Sequence, residues 1–253
     1  MQTIPESIAP HLRDLLARVD AAIVDLDGTM VDTLGDFAQA LNLMLADLQL
    51  PAIAPGAIER MVGKGSEHLL RSVLQEVLAL DSPGLAATDL IAKVEALYPR
   101  AWERYQHHYL AINGRFAQVY PGVHEGLQAL RGAGLRLACL TNKPTAFAVP
   151  LLRAKGLEGY FDQVFGGDAF ERKKPDPLPL LKACEALGSR PERTLMLGDS
   201  SNAPQAARAA GCPVVLVSYG YNHGRPVREV PADGYVDALA ELAAGTRAVA
   251  AGG

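Results

Sequence analysis

Four short apolar runs, each ending in polar residues, constrain this chain more than any other feature. They are Ala21-Ala22-Ile23-Val24 before Asp25, residues 135–140 before Thr141-Asn142, residues 194–197 before Gly198-Asp199, and residues 213–217 before Ser218. Runs this short, rich in aliphatic residues and bounded by turn-forming ones, read as buried strands. Helix-period patterns separate them at residues 123–133, 146–155, 178–187 and 205–210. Strands alternating with helices imply an α/β fold, a parallel sheet covered by helices on both faces. Ligands of such sheets bind beyond the carboxyl ends of the strands, which is where the polar residues fall.

One stretch breaks the alternation. Residues 34–114 hold no strand-like run, only apolar residues at helical spacing, beginning with Leu34, Phe37, Leu41, Met44, Leu45 and Leu48. Further helices are expected at residues 67–80 and 92–112, with Asp81-Ser82-Pro83-Gly84 as the break between them. The insert leaves after the first carboxylate loop and returns before Tyr120-Pro121-Gly122, a placement that suits a lid. The Ala/Gly-rich tail from Ala243 is expected to fray.

Composition excludes several classes. With 49% hydrophobic residues in 253, the chain can bury a substantial core. A net charge of -4 gives no attraction to nucleic acid or to an acidic membrane surface. No apolar run approaches the roughly 20 residues of a membrane span, and residues 1–20 carry Glu6, Arg13, Asp14 and Arg18 where a secretory signal needs an unbroken apolar core. A cytoplasmic protein is expected. Cys139, Cys184 and Cys212 are far apart, with no CxxC pair, and read as reduced core thiols. His107-His108 and Trp102 read as helix-face residues.

Asp25 and Asp27 stand two apart after a strand, so both point to one side if the extended geometry persists. Like charges so close call for a divalent cation or a shared proton, and oxygen ligands of this kind suit Mg2+. Gly28 permits close backbone approach. A bare Asp-x-Asp is more often a solvated turn; its context makes the difference.

Asp25-Leu26-Asp27-Gly28-Thr29-Met30-Val31-Asp32-Thr33 closely resembles the first signature of the haloacid dehalogenase-like phosphohydrolases. Thr141-Asn142-Lys143-Pro144, Lys173-Lys174-Pro175-Asp176-Pro177 and Gly198-Asp199-Ser200 resemble the second, third and fourth, in the right order and over essentially the whole chain. The resemblance implies a Rossmann-like core of residues 1–33 and 115–253 with an inserted α-helical cap of residues 34–114. It implies that Asp25 is the nucleophile forming an aspartyl phosphate, and that Asp27 acts as acid on the leaving alkoxide and then as base on water. Gly28, Thr141, Asn142 and Lys174 are implied as substrate-binding, Lys174 being chosen over Lys173 because it directly precedes the proline. Mg2+ is implied between the side chains of Asp25 and Asp199 and the backbone carbonyl of Asp27.

At one position the chain departs from that pattern. An acidic residue commonly stands four places after the fourth-signature aspartate, and here it is Ala203, followed by Pro204. Two outcomes are open: Ser200 or Asn202 holds a metal-bound water instead, or Mg2+ binds more weakly.

Tyr120-Pro121-Gly122-Val123, Gly166-Gly167-Asp168 and Tyr219-Gly220-Tyr221-Asn222 are most similar to bacterial phosphoglycolate phosphatases. Hydrolysis of 2-phosphoglycolate to glycolate and phosphate is therefore the expected reaction, in a monomer or homodimer. Lys64, His68 and Arg71 are candidate lid contacts, each of which reads equally well as a surface residue. Two alternatives stay open. One is a phosphatase or phosphomutase for another small phosphate ester or phosphosugar, and the other is a low-activity phosphate-binding or regulatory protein, weakened by Ala203.

Overall fold

The computed structural model of the chain describes residues 9–245. After helix α1 (Pro10–Leu16) come β1 (Ala21–Val24) and β2 (Val31–Asp32). Four helices follow in succession, α2 (Leu34–Asp47), α3 (Pro55–Glu59), α4 (Ser66–Asp81) and α5 (Ala87–Ile112). The alternating part then runs β3 (Gln118–Val119), α6 (Val123–Gly132), β4 (Arg136–Leu140), α7 (Thr145–Ala154), β5 (Gln163–Phe165), α8 (Leu178–Ala186), β6 (Thr194–Gly198), α9 (Asn202–Ala210), β7 (Val214–Val217) and β8 (Gly234–Val236). Six strands form one parallel sheet in the order β5-β4-β1-β6-β7-β8.

All four residues of β1 are buried, because helices cover both faces of the sheet. Its alternate residues feed two different cores. Ala22 and Val24 join one apolar cluster with Leu127, Leu151 and Leu197, while Ala21 and Ile23 join another with Leu180, Met196 and Ala207. Val24 pairs with Cys139 on one side and Leu197 on the other, so Asp25, Thr141 and Asp199 emerge at the same sheet edge.

Helices α2, α4 and α5 make a third cluster around Leu41, Leu70 and Tyr105, joined by Phe147 and Tyr221 from beneath. This is the inserted helical cap, and those two residues are where it rests on the sheet domain. Its two crossings are fastened together. β2 and β3 pair antiparallel, Val31 opposite Val119. The buried carboxylate of Asp36, on α2, accepts the N–H groups of Gly114 and Phe116 at 2.6 and 2.7 Å.

The four expected strands are present. β5 and β8 were not legible: each is three residues long at a sheet edge, too short for an apolar run to stand out. α5 begins at Ala87 rather than at residue 92, because its first turns are largely exposed and burial starts at Val94, leaving no apolar period to read. α9 begins at Asn202 rather than at residue 205, with Pro204 in its first turn, where a missing N–H breaks no helical bond. The fraying expected of the tail falls outside the described residues after residue 245. All three cysteines are free and buried, and Cys184 and Cys212, remote in sequence, bring their Sγ atoms to 3.9 Å. Among the described residues no helix is long and apolar enough to cross a membrane.

Candidate active site

Asp25 is the first residue past β1, and its N–H donates to Leu197 O at 2.9 Å, so the strand's hydrogen bonding fixes where its side chain starts. Oδ1 accepts the N–H of Leu26 at 2.8 Å, and Oδ2 lies 2.7 Å from Lys174 Nζ. That ammonium is nearly inaccessible, its side chain 2% exposed, and it also donates to Leu140 O at 2.8 Å. Lys173, its neighbour in sequence, makes no such contact. Lys174 is held by Asn142, whose amide donates to Lys174 O at 2.8 Å and accepts its N–H at 3.1 Å. The same Asn142 amide donates to Gly63 O of the cap at 3.1 Å. The side chain of Asn142 is thus spent on scaffolding, and its backbone is what remains for a ligand.

Asp199 follows β6 and is buried. Gly28, at φ 78°, leaves the space that its carboxylate occupies; a β-carbon at position 28 would overlap Asp199 Oδ2, and one at Gly220 would strike the same side chain. Burial, and then the charge of Asp25, push the Asp199 carboxyl up to about 7, against a bond from Tyr221 N–H that favours the ionised form. An acid so placed is short of positive charge, and the nearby donors are hard oxygens of the kind Mg2+ takes.

Asp27 turns elsewhere. Its Oδ1 accepts Thr33 Oγ1 at 2.8 Å and Lys143 Nζ at 2.9 Å. Among the described residues, no group of three or more His, Cys, Asp or Glu side chains is arranged to hold a metal. Asp27 Oδ1 is thus already taken by two donors, and the side chains of Asp25 and Asp199, with a backbone carbonyl, are the groups that could hold a metal.

A small cavity, about 30 Å3, lies over these groups. Asp25, Asp27, Asp199, Thr141 and Asn142 line it from the sheet edge, and Gly63, Gly65 and Ser66 from the cap. Gly28 and Lys174 are not in that lining: Gly28 makes room for Asp199, and Lys174 reaches the site through Asp25. Thr141 is 3% exposed, and its Oγ1 accepts the N–H of Lys143 at 3.1 Å.

The lid candidates fare unequally. Arg71 pairs with Glu95 at 2.8 Å and lies over the Tyr98 ring at 3.7 Å, so it is a surface contact within the cap. His68 is exposed. Lys64 lines a separate outer cavity with His223 and Arg225, while its neighbours Gly63 and Gly65 face the inner one. Asn202 donates its amide to Gly63 O at 3.0 Å, and Ala203 is buried in the first turn of α9.

Three polar side chains that line the cavity, those of Lys143, Ser66 and Tyr221, carried no assigned role in the sequence. Lys143 was detectable by the argument that paired Asp25 with Asp27, because residues two apart in an extended segment share a side and Thr141 is its partner. Ser66 and Tyr221 carried no comparable signal; their positions depend on how the cap and the loop after β7 meet the edge.

A model of the haloacid dehalogenase-like hydrolase family matches residues 22–217. A phosphoglycolate phosphatase of Thiobacillus denitrificans is 44% identical over 226 residues, 89% of this chain and 94% of that one. One from Nitrosospira multiformis is 46% identical over 223 residues, 88% and 93%. Among solved structures, a predicted phosphoglycolate phosphatase from Haemophilus somnus superposes with a TM-score of 0.81 at 31% identity, covering 89% of this chain and 96% of the other. CbbY from Rhodobacter sphaeroides, in complex with phosphate, superposes with a TM-score of 0.70 at 25% identity, covering 90% and 99%.

Proposed function

The chain belongs to the haloacid dehalogenase-like hydrolases, and we propose that it is a Mg2+-dependent phosphatase that converts 2-phosphoglycolate to glycolate and phosphate through an aspartyl phosphate on Asp25. The observation that carries this reading is the buried pair of Lys174 Nζ and Asp25 Oδ2 at 2.7 Å, which sets a positive charge behind an Asp25 carboxylate that lines one cavity with Asp199. The choice of phosphoglycolate rests on the relatives that bear that name.

A carboxylate with a reference pKa of about 4 is ionised at neutral pH and attacks phosphorus without a base to activate it. Its obstacle is repulsion by the phosphate oxygens, which positive charge and oriented donors must offset. Lys174 supplies one charge beside the attacking carboxylate, and the Thr141 hydroxyl and the backbone N–H of Asn142 supply donors. As the Asp25 Oδ–P bond forms, the bond from phosphorus to the glycolate oxygen breaks, and that oxygen takes a proton from Asp27. Asp27 then removes a proton from water, whose oxygen attacks phosphorus and releases the Asp25 carboxylate and phosphate. The side chains of Asp25 and Asp199 and the backbone carbonyl of Asp27 would hold Mg2+, which when bound supplies positive charge facing the ester.

Residues 34–114 act as the cap and residues 1–33 and 115–253 as the core in this reading. The free thiols suit the cytoplasm as its compartment. Phosphate release from a panel of small phosphomonoesters, with and without Mg2+, tests the proposal. The expected result is Mg2+-dependent turnover, highest on 2-phosphoglycolate and abolished by Asp25→Asn. Turnover that survives Asp25→Asn removes the aspartyl phosphate. Turnover highest on another ester moves the substrate, and none on any ester favours the phosphate-binding alternative, for which the missing carboxylate at Ala203 is the specific ground.

A further inference from the structure

We propose that Lys143 is a positioning residue that transmits the seating of the cap to Asp27. The inference rests on the acid–base role given to Asp27 above. The Lys143 side chain is 2% exposed, in the loop after β4. A lysine so fully withdrawn from water needs its charge met by the protein. One partner comes from the core, Asp27 Oδ1 at 2.9 Å. The others come from the cap: Nζ lies 4.4 Å from the Phe37 ring centroid on α2 and 4.7 Å from that of Tyr109 on α5. Both distances are within cation–π range, where removal from water strengthens the attraction. The two rings are 5.7 Å apart, and Tyr109 in turn packs on Phe147 at 4.7 Å, at the foot of the cap.

The ammonium therefore has a complete set of partners only while the cap is seated. Its bond to Asp27 is directed at one oxygen, and Thr33, the residue immediately before α2, donates to that oxygen as well. With two donors on Oδ1, the proton that Asp27 delivers has Oδ2 as its place. The cap and the crossing at Thr33 thus jointly decide which oxygen of Asp27 is presented for proton transfer. Lifting α2 and α5 takes the aromatic faces from Lys143 and leaves Asp27 free to turn.

This is tested in the full chain with Mg2+ on 2-phosphoglycolate and p-nitrophenyl phosphate, whose good leaving group has little need of an acid. Asp25→Asn is assayed first; its outcome decides the aspartyl phosphate reading independently of Lys143. If 2-phosphoglycolate is not turned over, the alkyl ester that is turned over best in the panel takes its place. Lys143→Met keeps the stem and removes the charge. It is expected to lower kcat/KM on the alkyl ester about 10- to 100-fold, part of what a general acid contributes, and to lower it much less on the aryl ester. Phe37→Leu is expected to lower the alkyl ester rate in the wild-type background and to add little to Lys143→Met, whereas Phe37→Tyr retains activity. Equal losses on both esters, or additive losses in the double variant, overturn the proposal. Should Lys143→Met not fold, the comparison of Phe37→Leu with Phe37→Tyr decides it, and equal activity on the alkyl ester refutes it.

Discussion

Tyr221 donates its backbone N–H to Asp199 Oδ2 at 2.7 Å. Its phenol, at the other end of the same residue, accepts the N–H groups of Thr33 and Leu34 at 2.8 and 3.1 Å and donates to Asp32. A single residue of the loop after β7 therefore ties a buried acid of the site, through its backbone, to the point where the chain enters the cap, through its side chain.

Removing the phenol separates those two functions. Tyr221→Phe leaves the Thr33 N–H without its partner, while that of Leu34 keeps Asp32 Oδ1 at 3.1 Å; one such group left buried costs about 1–3 kcal/mol. The backbone bond to Asp199 survives. Denaturant unfolding should show the loss, and a Mg2+ titration of turnover should show an unchanged half-saturation. A large change in metal dependence would mean that the phenol, and not the backbone, governs Asp199.

Lys174→Met should lower kcat/KM about 100- to 1,000-fold, the scale of losing one well-placed charge or donor at a developing anion. Steady-state kinetics on any ester that is turned over checks this. A loss of less than tenfold would show that the Lys174 charge is not needed at the phosphoryl group.

The position of Asp199 makes stability depend on pH in a definite direction. Its carboxyl is pushed from the ordinary 3.8 to about 7 in the folded chain. Between those values the folded state holds a proton that the unfolded state has lost, so stability falls as pH rises through the window. Bound Mg2+ favours the ionised form and opposes the fall. Melting temperatures measured from pH 4 to pH 8 should decline in EDTA on account of this group, and the gain from Mg2+ should grow with pH. A gain from Mg2+ that is constant across the range would exclude Asp199 as a ligand.

Ala203→Asp tests the departure in the fourth signature. Position 203 is buried in the first turn of α9, so an added carboxylate there is costly unless a cation compensates it. Without Mg2+ the variant should melt lower than the parent chain. With Mg2+ it should recover, and half-saturation should tighten about 10–100-fold, as partners around a bound metal typically do. Unchanged metal affinity and turnover would show that position 203 plays no part.

Much of the site was legible because it rests on short-range rules. Asp25, Thr141 and Asp199 each end an apolar run, and parallel strands deliver their ends to one edge whatever order they take in the sheet. Lys174 was separable from Lys173 only through the family resemblance, which places the lysine directly before the proline; the structure takes its ammonium to Asp25. The helices of the cap could be read wherever one face is buried, as in α2 and α4, but not over the exposed start of α5.

What remained hidden was which of these groups meet. That Lys143 reaches Asp27, that Asn142 spends its amide on Lys174 and Gly63, and that Cys184 approaches Cys212 all depend on chain crossings between residues far apart in sequence. The sequence by itself determined the alternation of strands and helices and the chemical types at the strand ends, because burial period and turn chemistry act over a few residues. Only the tertiary structure decided the partners, because an ion pair or a shared carboxylate oxygen is a matter of a few ångströms between elements, set by how the cap and the sheet edge pack.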